Sequence, residues 1–154
     1  MLKHSLAACP AQHWDAKVGH STIRQDAYHA LFWCSYYLTR HEDQYQPSEY
    51  HKRGGNELEP VISTGLEKED TLRFIEDTHD RIVRTIADET EGSMSGDCGF
   101  PSIFRNSPLS RLELHVYNIR HLQHHVGQIN ITLRHISDAE GLDLKLPWVG
   151  PGWG

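Results

Sequence analysis

The sequence predicts an all-α protein, an antiparallel bundle of long helices. Three observations carry that expectation. Apolar residues recur at steps of three and four along three long segments. The stretches between those segments are rich in Gly, Pro and Ser. No segment shows the period-two alternation of a half-buried strand.

Taken in order, residues 1–20 read as a short irregular lead-in around Pro10 and Gly19, with "PAQHWD" able to form one helical turn. Ser21 or Thr22 is a suitable N-cap for a first long helix over about 21–40, with apolar positions Ile23, Ala27, Ala30, Leu31, Cys34, Tyr37 and Leu38. "QPSEYHKRGGNELEP" (46–60) has loop chemistry, and its Arg53–Gly54–Gly55 is a turn. A second helix is expected over about 65–91, with acids in its first turn, where the helix dipole favours them, and an apolar face of Leu72, Ile75, Ile82, Val83 and Ile86. "GSMSGDCGFPSIFRNSP" (92–108) reads as a connection. The third helix, over about 109–137, carries an apolar stripe of Leu112, Val116, Ile119, Leu122, Val126, Ile129, Leu133 and Ile136, and Gly141 follows as a stop signal. The tail 138–154 is expected to be irregular, with its two tryptophans packing back on the domain.

The 154 residues suit one domain. Three long helices close a core less easily than four, so a short segment or a second subunit is expected at the fourth corner. Hydrophobic residues at 38% and charged residues at 23% fit a globular chain. A formal charge of −6 argues against nucleic acid or an anionic membrane as partner, since both reward clustered Lys and Arg. Three widely spaced cysteines, none in a CxxC pair, suggest a reducing, cytoplasmic compartment. The apolar run near the N-terminus is too short for a signal peptide, and no stretch is long enough to span a membrane.

Twelve histidines is a high count, and their placement matters more than their number. Beside the apolar stripe of the third helix runs a second row of Leu114, Asn118, His121, His125, Gln128, Thr132 and His135. On a helix, His121 and His125 lie roughly 40° apart and about 6 Å along the axis, so both imidazoles can reach one ion. Two histidines at i, i+4 are the arrangement of helical zinc sites. His124 points roughly 100° away from His125 and about 60° from His121, which suits water, substrate or proton handling better than ligation. A catalytic site wants a third protein ligand and open positions. The best candidate is His29, set among apolar and aromatic residues of the first long helix, where an imidazole without a partner is costly. Asp26, one turn earlier, can orient a ligand or act on bound water. A single histidine pair is more often incidental, and a lone core histidine more often just bonds a neighbour; the combination favours a metal. Trp33, Tyr36 and Tyr37 read as core or pocket wall, and Cys34 as a small buried apolar residue.

"RHLQHHVGQINITLR" (120–134), with His29 far upstream, resembles the DinB/YfiT-like metalloproteins, which show HxxHHxGQ late in the chain and one further histidine on the second bundle helix. The resemblance spans roughly residues 5–137. It implies a four-helix bundle, often dimeric, with His29, His121 and His125 holding a divalent ion, nickel or zinc ahead of iron(II) or manganese(II). It also implies the chemistry of thiol S-transferases using bacillithiol or mycothiol. Members usually have a full first helix, and only about twenty residues precede Ser21 here, so that helix is expected to be short or missing.

These readings lead to a metal-dependent enzyme that activates a small thiol, or hydrolyses its substrate, with Asp26 and His124 as the candidates for proton handling. The competing expectation is a non-catalytic metal-binding or interaction bundle. A homodimer and a small-molecule substrate are the expected partners.

Overall fold

The structure, a computed structural model, describes residues 1–51 and 66–147. Its centre is helix α2 (Ile23–Tyr36), which begins at a reciprocal cap: Gln25 N–H donates to the Thr22 hydroxyl, and Thr22 N–H donates to Gln25 Oε1. Residues on all sides of α2 are buried, among them Ile23, Ala27, Tyr28, Leu31, Phe32 and Cys34. An apolar surface all round a helix requires neighbours on every side. Helices α3 (Lys68–Ala87) and α5 (Arg111–Glu140) supply two of them.

Helix α1 (Leu2–Ala8) packs across α3 and α5 and fills one end of the fourth corner. The architecture is therefore the expected all-α bundle, with a first helix of only seven residues. The lead-in is more ordered than expected. Leu2, Leu6 and Cys9 sit at i, i+4 and i+7 and are all buried; seven residues are too few for that period to stand out in sequence. Ala11–His13 forms the expected single helical turn. A minimal antiparallel hairpin of β1 (Lys17–Val18) and β2 (Ser21–Thr22) then turns the chain through Gly19, whose φ is +58°. Trp14 ties this segment down by donating Nε1–H to the Leu66 carbonyl at 2.9 Å.

Three helix ends differ from expectation. Helix α2 stops at Tyr36 rather than near residue 40. There the buried Arg111 guanidinium donates to the carbonyls of Tyr37, Thr39 and Leu38 at 3.1, 2.7 and 3.1 Å, satisfying groups a continuing helix would have bonded internally. Helix α3 stops at Ala87, and a separate helix α4 (Glu91–Ser95) lies within what reads as connection. Thr90 and Ser93 cap its start reciprocally. Helix α5 starts with a capping box between Ser110 and Glu113, runs three residues past 137, and ends at Gly141 in the left-handed conformation.

The apolar stripe of α5 does not all face the core. Leu122 is half-buried, and Val126, Ile129 and Leu133 are buried, but Leu112, Val116 and Ile119 are 53%, 50% and 63% exposed. The stripe advances by about 3.4 residues per step against 3.6 per turn, so its two ends lie roughly 120° apart around the helix. The polar row takes the interior instead: Leu114, Asn118 and His125 are buried. On α3 the buried residues are Thr71, Phe74 and Thr78, while Val83 and Ile86 face outward.

Among the described residues no helix is long and apolar enough to cross a membrane. The turn expected at Arg53–Gly55 and the packing expected of Trp148 and Trp153 lie outside the described residues.

Candidate metal centre

Helices α2 and α5 pack along much of their length. His29 lies near the middle of α2, and the turn of α5 that carries the polar row faces it. His121 Nε2 is 3.3 Å from His29 Nε2, and His125 Nε2 is 3.1 Å from His121 Nε2. One nitrogen from each of the three rings falls within 4.8 Å of the other two. His125 is buried, and His29 and His121 are half-buried, so the cluster sits at the edge of the interior with one side toward solvent.

Three ring nitrogens turned toward one point are poorly served by each other, because a neutral imidazole has one donor and one acceptor. Burial, then the neighbouring His125, His29 and His124, pushes the His121 imidazole down to about 3. At neutral pH it is therefore uncharged, the form that ligates a metal. Three imidazoles bonded tetrahedrally to zinc hold their nitrogens about 3.3 Å apart, which is close to the two spacings seen here. The donor set thus fits a divalent cation.

Asp26 is 1% exposed and one turn before His29 on α2. Its Oδ1 lies 3.0 Å from His125 Nδ1, so it meets the cluster from behind through His125. His124 is exposed, with its ring 5.2 Å from that of His125, and is not one of the three converging residues.

Two aromatic residues stand at the rim: Trp33, expected as core or pocket wall, and Tyr117, which the sequence does not single out. Trp33, one turn after His29, meets its ring at 6.3 Å, and Tyr117, one turn before His121, stacks on it at 6.4 Å and 8°. The signal available was the four-residue offset from each ligand. None of the three cysteines is placed to act here. All are buried, and burial pushes Cys9 and Cys34 up to about 11, so any reactive thiol has to come from outside the chain.

A second polar cluster, absent from the sequence reading, closes the far end of the bundle. Glu89 accepts from Arg111 Nε–H at 2.9 Å, lies 3.2 Å from His115 Nε2, and accepts from Arg40 at 3.0 Å. It holds α4, α5 and the end of α2 together and has no open side for a ligand.

Compared with known proteins, residues 1–129 match the family model of the DinB superfamily. No curated protein and no solved structure matches the chain.

Proposed function

This chain belongs to the DinB superfamily, and from that premise we propose that it is a divalent-metal-dependent enzyme acting on a small molecule. His29, His121 and His125 hold the ion, and the convergence of their Nε2 atoms is the observation that carries the reading. Zinc or nickel suits three imidazoles best, with iron(II) or manganese(II) behind them. A bound ion supplies Lewis acidity, lowering the pKa of a thiol or water brought to it.

The residues of the chain do the rest. His29 and His121 present their rings on the half-exposed side, where substrate arrives. His124, exposed beside His125, exchanges protons with solvent. Trp33 and Tyr117 offer flat apolar walls to a substrate carrying an apolar body. Thiol transfer stands ahead of hydrolysis on the resemblance of the His121–Gln128 motif to thiol S-transferases of the family; with its three cysteines buried, the chain would take an external low-molecular-weight thiol as nucleophile. Such a reaction belongs in the cytoplasm, where small thiols are kept reduced. A homodimer is supported by the apolar face left exposed on α5 by Leu112, Val116 and Ile119 and on α3 by Val83 and Ile86; sedimentation at micromolar concentration tests it.

The test of the reaction is thiol consumption by zinc- or nickel-loaded protein against a panel of electrophiles. Turnover that disappears in His121→Ala supports the enzyme. A loaded protein that consumes no thiol and hydrolyses no ester or amide in the panel is a metal-binding bundle without catalysis.

A further inference from the structure

We propose that Asp26 is a positioning residue for the ion, kept at a cost to the empty fold. The proposal rests on the three-histidine reading and concerns what makes that site bind tightly.

The geometry starts from His125, the most buried of the three ligands at 3% exposure. Its Nδ1 faces Asp26 Oδ1 at 3.0 Å. An ionised carboxylate only accepts hydrogen bonds, so the His125 proton resides on Nδ1 and is donated to Asp26. That leaves the Nε2 lone pair pointing at His121 and His29, as ligation requires. The same contact fixes the ring plane and raises the basicity of Nε2. The corresponding atom of His121, Nδ1, is buried without a hydrogen-bond partner among the described residues.

Asp26 is a poor choice for stability alone. Its second oxygen, Oδ2, is buried and has no hydrogen-bond partner. No Lys or Arg forms an ion pair with it among the described residues, whereas the other deeply buried carboxylate, Glu89, is bridged by two arginines. A buried carboxylate with one oxygen unserved penalises folding. A cation on the far side of His125 complements its negative charge. The residue therefore favours the loaded state over the empty one, and removing it separates affinity from stability.

The experiment compares the parent, Asp26→Asn, Asp26→Leu and His125→Ala, using Zn2+ alone as the probe. Affinity is read by competition with a chromophoric chelator, and the stability of each metal-free protein by urea denaturation. Asp26→Leu is expected to bind Zn2+ about 10–100-fold more weakly than the parent, with metal-free stability equal to or above it. Asp26→Asn, whose amide oxygen still accepts from Nδ1–H but carries no charge, is expected to fall between the two and guards against a misfolded Leu variant. His125→Ala is expected to lose Zn2+ altogether. If both Asp26 variants bind within twofold of the parent while His125→Ala loses the ion, the site stands and the role of Asp26 is wrong. If both Asp26 variants are instead less stable than the parent when metal-free, Asp26 is a structural residue and the proposal fails. A parent that binds no Zn2+ overturns the three-histidine reading itself.

Discussion

Arg111 and Glu89 form a buried ion pair, Nε to Oε1 at 2.9 Å, with each side chain 2% exposed. Arg111 starts α5 and Glu89 precedes α4, and the same guanidinium closes the end of α2 through three carbonyls. This pair fixes where α5 begins relative to α2, and so the register in which His121 and His125 face His29.

Loss of Arg111 should therefore be costly. Arg111→Met leaves Glu89 short of one of its two arginines and three carbonyls unserved, and a buried pair broken on one side typically loses about 3–5 kcal/mol. Urea denaturation of the metal-free protein measures it. A loss under about 1 kcal/mol would show that the pair is no more than a surface-type bridge.

The acid dependence of stability follows from Glu89. Burial pushes its carboxyl up, but hydrogen bonds from Ser93, Arg111, His115 and Arg40 outweigh burial and hold it at about 2, against 4.5 unfolded. A carboxylate depressed in the folded state stabilises it above the unfolded value, and that contribution is lost as pH falls from about 4.5 toward 2. His121 and His115, both held below the ordinary histidine value chiefly by burial, add an earlier loss. The unfolded chain takes up those protons near 6.5 while the folded one does not, so stability falls below that pH. Urea midpoints of the metal-free protein between pH 7 and 3 should fall in both ranges. The Glu89→Gln variant should keep the first fall and lose most of the second.

Gly99 is held at φ +82°, and a Cβ there would sit 2.1 Å from the Arg40 carbonyl oxygen. Gly99→Ala should strain the backbone by about 1–3 kcal/mol and lower the melting temperature without changing ion content, since the site is elsewhere. An unchanged melting temperature would mean that the 96–100 turn repacks freely.

Exchange of ligands should be selective along α5. His121→Ala should lose the ion, and His124→Ala, whose ring is exposed and outside the converging three, should retain it. Retention in His121→Ala together with loss in His124→Ala would invert the assignment.

The helices and the three converging histidines were legible because each is a local pattern. Spacing on one helix puts His121 beside His125, and a histidine amid apolar residues marks His29. What stayed hidden depends on partners distant in sequence. Nothing near Arg111 announces that its guanidinium will end a helix about seventy residues earlier, or that Glu89 will be buried beside it. The outward turn of Leu112, Val116 and Ile119 was in principle readable, because their spacing falls short of 3.6 residues per step. Which end of that drifting stripe meets the core is decided by α2. Helix α1 escaped because three buried residues in two turns carry too little period to see.

The central claim is that α2 and α5 jointly hold one divalent ion, and elemental analysis of protein purified without an affinity tag tests it most directly. The expected result is about one equivalent of zinc or nickel per chain in the parent, and none in His29→Ala or His125→Ala variants that keep the parent's helical circular dichroism. Stoichiometric metal remaining in either variant, or a parent that stays metal-free when offered zinc and nickel, would contradict it.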